Sequence, residues 1–451
     1  MCRTDEESAE VVVPKECLRI RVLGKHRTNT KVFERRGKEM QGKQKTTESY
    51  RSGDRAEPEA LSGADSIAYT EPYGKETLYD GLIEAVLSEK NLGEAFRQVV
   101  ANHGAPGSDG MTVEQLPEWF ERNRTVLTDK IRKGTYKPLP VRRKEIPKPN
   151  GGVRNLGIPS VFDRVLQQAV AQVLVPIYEP TFSDSSYGFR PGRSAQDAVL
   201  QAKAYFEEGY GTVVDLDLEK FFDTLNQDLL MNILRERIAD KSLLRLIKSF
   251  LRSGVVMPDG LVRPTREGSP QGGPLSPLLS NIYLDKFDKL LESRGLRFCR
   301  YADDCMIFVR SQRAGERVRD SVTRFLEGKL RLKVNQEKTV VGPADTVRFL
   351  GFRLYRFRTV GITIHPDSLR KFRKRVREIT KRNRGRRLEH ILGELKTYLR
   401  GWLGYFAIGV AKKQAENQDK WIRRRIRQYL FKQWKTPCNR AGKILALIPK
   451  W

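Results

Sequence analysis

Arg297-Phe298-Cys299-Arg300-Tyr301-Ala302-Asp303-Asp304-Cys305-Met306-Ile307-Phe308-Val309 carries the pattern from which the architecture follows. Two apolar runs, 297–301 and 305–309, flank Ala302-Asp303-Asp304, which predicts a strand, a tight turn and a second strand with adjacent carboxylates at the tip. Alone, an Asp-Asp pair fits a solvated hairpin tip. A second segment changes that balance. Across Thr212–Leu218, Val214, Leu216 and Leu218 alternate with Val213, Asp215 and Asp217, which predicts a half-buried strand carrying two acids on its outward face.

Carboxylates gathered at one sheet edge repel one another unless cations neutralise them, and hard oxygen donors suit magnesium. Two such ions, about 3.5 to 4 Å apart, activate an attacking hydroxyl and stabilise a leaving pyrophosphate in an in-line displacement. That is polymerase chemistry. Composition points the same way: in 451 residues, 84 Lys/Arg stand against 55 Asp/Glu, a net charge of +29, whose field favours a nucleic acid over a small neutral metabolite. The length predicts two to four domains at roughly 100 to 200 residues each. No stretch approaches the ~18 consecutive apolar residues of a membrane span, so no membrane partner is expected. Cys2, Cys17, Cys299, Cys305 and Cys438 are scattered, which predicts neither structural zinc nor a disulfide framework. Asp5, Glu6, Glu7 and Glu10 occupy the start where a leader peptide is basic or acid-poor, so a cytoplasmic location is expected.

Residues 1–75 are polar and charge-mixed and are expected to be a disordered extension. Globular patterning begins near Leu78, with a helix after Asp109-Gly110-Met111 that Thr112 is expected to cap. Val141–Ile146 and Val153–Leu156, joined by Asn150-Gly151-Gly152, predict a cationic hairpin. Ser160 with Asp163 predicts a capped helix whose Val161, Val165, Ala169, Val173 and Ile177 are buried, ending at Pro180. After Phe352 the charge shifts sharply: residues 353–451 hold 28 Lys/Arg against 6 Asp/Glu, a balance of +22. Helices are expected there over 369–382, 388–406 and 415–434.

Further motifs follow in order. They are Ile146-Pro147-Lys148-Pro149 with Arg154, Leu156-Gly157-Ile158-Pro159, Tyr187-Gly188-Phe189-Arg190-Pro191-Gly192-Arg193-Ser194, Ser269-Pro270-Gln271-Gly272-Gly273-Pro274-Leu275-Ser276-Pro277, Asn335-Gln336-Glu337-Lys338-Thr339 and Phe349-Leu350-Gly351-Phe352. With Asp217–Asp223 and Tyr301–Asp304, residues 78 to about 445 resemble the group II intron-encoded reverse transcriptase/maturase family. The resemblance implies an α+β right-hand polymerase: fingers over 76–210, an antiparallel palm over 211–352, and a basic helical thumb/maturase segment over 353–451.

It also implies Asp217, Asp303 and Asp304 as catalytic carboxylates and ligands of two Mg2+ ions. Asp215 competes for the first place because it shares the strand face; Asp217 is preferred because the family sets an aromatic five residues on, here Phe222. That ring is expected beside the nucleotide sugar, against an alternative as plain core. Lys148 and Arg154 are expected at the triphosphate, and Gln271 at the nucleotide. Arg190 and Arg193 suit either phosphate contacts or internal salt bridges, and Lys338 is expected near the active site. Tyr398, Trp402, Tyr405 and Phe406 fall at helical spacing and read as bundle core rather than as nucleobase platforms. The cations Arg382, Arg384, Arg386, Arg387, Arg423, Arg424 and Arg425 have few acids at i, i+4 and are expected to be exposed and RNA-binding.

The expected partners are an RNA template, a DNA or RNA primer, deoxynucleoside triphosphates and a parent group II intron RNA. The short stretch after the maturase motif is expected to leave no room for a DNA-binding or nuclease end. Two rival functions are a splicing cofactor without polymerase activity and a domesticated reverse transcriptase in antiphage defence. Intact Asp217, Asp303, Asp304, Lys148, Arg154 and Gln271 argue against the first. The maturase-like end fits the second poorly.

Overall fold

The computed structural model describes residues 78–147 and 153–445. The expected 1–75 extension and Lys148 lie outside the described residues. Those that are described fall into two units, 78–411 and 412–445, taken here in turn. The boundary falls inside the segment that the charge profile sets apart.

The first unit opens with helices α1 (Leu82–Leu87), α2 (Glu89–Ala101) and α3 (Leu116–Arg132). Thr112 does not cap α3. The helix starts at Leu116 with Pro117 in its first turn, and the Thr112 amide donates instead to Gln115 Oε1 at 2.9 Å. Proline there loses no hydrogen bond and has its φ preset for helix. Strands β1 (Val141–Pro147) and β2 (Val153–Ile158) then pair antiparallel, as the hairpin reading predicts. Helix α4 (Val161–Tyr178) begins at Ser160, whose Oγ accepts from the Asp163 amide at 3.0 Å, a cap of about 1 kcal/mol. On α4 Val161, Val165 and Ala169 are fully buried as expected, whereas Val173 and Ile177 are only half-buried and Val170 and Leu174 fill the core instead.

Helix α5 (Ala195–Glu207) leads to strand β3 (Thr212–Leu216), then to helices α6 (Phe221–Thr224), α7 (Gln227–Arg235) and α8 (Lys241–Leu251). A short hairpin of β4 (Val255–Val256) and β5 (Val262–Arg263) extends the β1–β2 sheet to the order β2-β1-β4-β5. After α9 (Ser276–Ser293) come β6 (Arg297–Tyr301), β7 (Asp304–Val309), α10 (Gln312–Gly328) and β8 (Val340–Pro343).

The central sheet has the order β6-β7-β3-β8 and every pairing is antiparallel. Both of its faces are covered. Cys305, Ile307, Val214 and Leu216 join a core shared with α4 and α9, whereas Met306, Phe308 and Val213 join a second core with α5 and Phe352. This corrects the half-buried strand: Val213 is 0% exposed, because a second layer packs on the face expected to meet solvent. Doubly covered strands lose the polar alternation that marks one-sided sheets.

Strands β9 (Phe352–Arg356) and β10 (Val360–Ile364) form a separate hairpin, followed by α11 (Pro366–Ile379) and α12 (Leu388–Phe406). Helix α11 starts and stops three residues earlier than the expected 369–382. Pro366 supplies the first turn and the His365 side chain accepts from the Asp367 amide; at the other end Thr380 Oγ1 donates back to the Val376 carbonyl. The second unit contains α13 (Lys412–Gln433) and α14 (Pro437–Leu445), with Ile422, Ile426 and Tyr429 buried along α13. No helix among the described residues is long and apolar enough to cross a membrane.

Candidate active site

Asp217 follows directly on β3, and Asp303 and Asp304 stand at the turn between β6 and β7, so adjacent strands deliver all three to one end of the sheet. Asp217 is fixed by its backbone: its amide donates to Thr339 Oγ1 at 3.3 Å, and its carbonyl accepts from the Asn335 amide at 2.9 Å. Lys338 Nζ lies 3.4 Å from Asp217 Oδ2. Ala302 takes a left-handed φ of 59°, which makes the turn tight enough for Tyr301 to pair with Asp304.

A cleft of about 620 Å³ joins Asp215, Asp217 and Asp304 with Lys338, Arg348 and Lys371. The acids feel one another. Burial first, then the charges of Asp304 and Asp217, push the Asp215 carboxyl up to about 7. Burial, then Asp303 and Asp217, push Asp304 up to about 6, with Arg348 opposing. Asp215 thus shares the cleft with Asp217, and the sequence competition between them is a competition between neighbours.

Among the described residues no three carboxylate, imidazole or thiol groups form a ready coordination cluster. The donor chemistry nevertheless fits a hard divalent cation: mutually repelling carboxylate oxygens at one end of a sheet, with an ammonium standing against one of them.

The opposite wall of the cleft is aromatic. Phe372 of α11 meets Trp402 at 4.2 Å between ring centroids and stacks on Tyr398 at 5.9 Å, while Trp402 meets Phe406 at 5.1 Å. Tyr405 donates its hydroxyl to the Leu350 carbonyl at 3.0 Å. These rings pack together as the bundle-core reading predicts, but they also line the cleft that holds Asp217. Helical spacing reveals a packed stripe without revealing that its edge borders a groove. Arg348, which sequence reasoning missed, lines the same cleft, as does Lys371, the first of the cations 371–377 that the sequence marks as RNA-binding. Arg348 stands immediately before Phe349-Leu350-Gly351-Phe352, the one signal that placed it nearby.

Arg154, Phe222 and Gln271 meet in a second cleft of about 510 Å³, together with Phe189, Arg164 and Gln168. Arg154 Nε donates to Gln271 Oε1 at 3.3 Å. The Gly157 amide donates to the Gln271 carbonyl at 2.7 Å, which ties the fingers hairpin to the Pro-Gln-Gly loop. Gly272 is needed there: its φ is +130°, and a Cβ would stand 2.7 Å from the Gly157 carbonyl oxygen. Phe222 packs edge-on against Phe221 at 5.2 Å and its carbonyl accepts from the Ser269 amide at 2.7 Å.

Several expected surface cations are engaged within the protein. Buried Arg190 donates to Glu179 at 2.9 Å, to the Ser186 carbonyl at 2.8 Å and to the Ser183 carbonyl, and Arg193 pairs with Asp184 at 2.6 Å. The internal salt-bridge reading holds for both. Arg384 is half-buried, donating to the Ile379 carbonyl at 3.0 Å and to Glu394 at 2.8 Å, so it closes the α11–α12 loop. Arg423 is half-buried on Asp419 at 2.9 Å, and Arg425 is also half-buried. The expectation of exposure is thereby corrected for Arg384, Arg423 and Arg425. Arg382, Arg386, Arg387 and Arg424 are exposed.

Comparison with known proteins now adds identity to geometry. Residues 146–354 match the reverse transcriptase (RNA-dependent DNA polymerase) family, and residues 369–445 match the group II intron maturase-specific domain. Protein YkfC of Escherichia coli (strain K12) is 35% identical over 338 residues, covering 64% of this chain and 88% of that protein. Group II intron-encoded protein LtrA of Lactococcus lactis subsp. cremoris is 29% identical over 343 residues, 61% of this chain and 57% of LtrA. A putative COX1/OXI3 intron 2 protein of Saccharomyces cerevisiae is 34% identical over 221 residues, 49% of this chain and 25% of its own length.

An antiparallel palm with acids at one end, carried on a chain that matches these families, defines an RNA-directed DNA polymerase. The chain belongs to the group II intron-encoded reverse transcriptase/maturase family. Membership implies an RNA template, a divalent metal and contact with intron RNA.

Proposed function

We propose that the chain copies RNA into DNA with Asp217, Asp303 and Asp304 holding two Mg2+ ions, and that it binds its parent group II intron RNA to promote splicing and mobility. The observation that carries this reading is the single cleft in which Asp217 and Asp304 face the basic and aromatic wall of α11 and α12. Asp217, Asp303 and Asp304 would hold the magnesium, which would supply positive charge favouring ionisation of the attacking 3′ hydroxyl and departure of pyrophosphate. The protein supplies alignment. Asp217 is anchored by Thr339 and Asn335, and Asp303 and Asp304 by the tight turn.

Arg154 and Gln271 line the second cleft, where a guanidinium and an amide suit an incoming deoxynucleoside triphosphate. Lys148 belongs to the same reading through its motif. Phe222, on the wall of that cleft, would sit against the sugar where a ribonucleotide carries its 2′ hydroxyl. Exposed Arg382, Arg386, Arg387 and Arg424 serve as intron RNA contacts, with Arg384 closing the loop that carries the first three and half-buried Arg423 and Arg425 flanking Arg424 on α13. A cytoplasmic location agrees with this role.

The test is primer extension on an RNA template with magnesium, run beside splicing of an intron RNA taken from the sequence surrounding the coding region. Asp304→Asn should lose extension while keeping intron RNA affinity. Stimulated splicing without any extension by the wild-type chain would favour a splicing cofactor instead.

A further inference from the structure

The turn that carries Asp303 and Asp304 is held from beneath by a buried cation that the chemistry above does not use. Arg300 lies on β6, three residues before Asp303, and is 1% exposed; Asp288 on α9, its partner, is 0% exposed. The guanidinium forks onto Asp288, with Nε on Oδ1 at 2.7 Å and Nη2 on Oδ2. Nη1 is left free of that fork and reaches the turn, donating to the Ala302 carbonyl at 2.9 Å and to Asn281 Oδ1 at 3.0 Å. Asn281 donates in turn to the Gly188 carbonyl at 2.8 Å. Gly188 presses on the same turn, since a Cβ there would stand 2.4 Å from the Ala302 amide nitrogen.

Two features make this more than packing. Ala302 holds a left-handed φ of 59°, which costs a residue with a Cβ roughly 1 kcal/mol or more and persists only where the surroundings impose it. An Arg–Asp pair this deeply buried is also a poor source of stability, because well-packed apolar residues of similar volume often do as well or better. An apolar residue would fill the space at Arg300, but it would not donate to the Ala302 carbonyl.

We infer that Arg300 is a positioning residue for polymerisation: its Nη1, aimed by Asp288 and Asn281, fixes the Ala302–Asp303 peptide and so the turn from which Asp304 reaches the cleft, with Asp303 beside it. This inference rests on the reading of Asp303 and Asp304 as catalytic. Arg300 lines neither cleft and acts through the peptide it grips.

The test uses the full chain and the double variant Arg300→Met/Asp288→Leu, which removes both charges and leaves no unpaired buried ion. Thermal unfolding, RNA affinity, hydrogen exchange across residues 299–306 and single-turnover extension over a magnesium titration are measured together. The expected result is a folded protein with wild-type RNA affinity, faster exchange at the turn, a higher half-saturating magnesium concentration and extension slowed roughly ten- to a hundredfold. A folded double variant with wild-type turnover, metal dependence and exchange overturns the inference. Should the double variant fail to fold, Arg300→Lys decides: one ammonium keeps the charge but cannot span the Asp288 fork and the Ala302 carbonyl, so the same pattern is expected, and wild-type turnover overturns it. Asp304→Asn separates the two layers of the argument. Activity in Asp304→Asn defeats the site reading itself, whereas an inactive Asp304→Asn beside a fully active Arg300 variant defeats only the positioning role.

Discussion

Lys338 Nζ stands 3.4 Å from Asp217 Oδ2, placing an ammonium against the carboxylate that the polymerase reading assigns to metal. Lys338 is 68% exposed at its side chain and Asp217 37%, so the pair is a weak one, about 0 to 1 kcal/mol. The ammonium and a divalent ion compete for the same oxygen. Lys338→Gln should therefore lower the half-saturating magnesium concentration for extension by up to about fivefold, the equivalent of such a pair. A magnesium titration at fixed nucleotide concentration reads this directly, and a rise instead of a fall would show that Lys338 assists catalysis more than it competes.

Crowded acids give the metal-free protein a pH signature. Asp215 is pushed from 3.8 up to about 7, so the folded state holds a proton there that the unfolded chain releases. Between about pH 4 and pH 7, stability should fall as pH rises, because over that window the native state binds more protons than the unfolded one. A shift of this size corresponds to at most about 4 kcal/mol. Asp215→Asn should flatten the dependence and raise the melting temperature at pH 7.5, as followed by thermal unfolding in a chelator. An unchanged slope in the variant would place the pH dependence elsewhere, with Asp304, at about 6, the next group to test.

Phe222 lines the cleft shared by Arg154 and Gln271, and it is half-buried, packed edge-on against Phe221. Phe222→Val should raise ribonucleotide incorporation relative to deoxynucleotide by about tenfold or more, expressed as the ratio of kcat/KM for the two sugars. A folded, active variant with an unchanged ratio would return Phe222 to the core.

The acidic end of the central sheet was legible because a metal-binding reading demands particular residues at particular spacings. Alternation put Asp215 and Asp217 on one face, and the turn residues put Asp303 and Asp304 at a tip. The opposite face of the same strand was misread, because a one-dimensional pattern cannot show that α5 and Phe352 will cover Val213. Charges were harder still. Arg384 and Arg382 look alike in sequence, yet Arg384 finds Glu394 ten residues away and Arg382 remains in solvent. Arg300 sits in an apolar strand with nothing nearby in sequence to announce Asp288. Burial of a cation is decided by a partner that only tertiary structure brings.

That division makes the basic segment testable. Arg382→Gln/Arg387→Gln removes two exposed charges, so the log–log salt slope of intron RNA binding should become shallower by about 1.5 to 2, with weaker binding at physiological salt. Arg384→Gln should instead cost about 1 to 3 kcal/mol of stability by removing the bonds to the Ile379 carbonyl and to Glu394, which then keeps Arg375 at 3.7 Å, with little change in slope. Salt-dependent RNA binding and thermal melts on both variants separate the two roles. An unchanged slope in the double variant would make Arg382 and Arg387 a solvated surface.

The most direct test of the central claim compares Asp217→Asn, Asp304→Asn and Asp215→Asn in single-turnover extension of a preannealed primer on an RNA template with magnesium. The account predicts that Asp217→Asn and Asp304→Asn abolish extension while RNA affinity stays within a few fold, and that Asp215→Asn still extends. An active Asp217→Asn beside an inactive Asp215→Asn would move the first catalytic acid by two residues. Extension at the wild-type rate by Asp304→Asn would contradict the account outright.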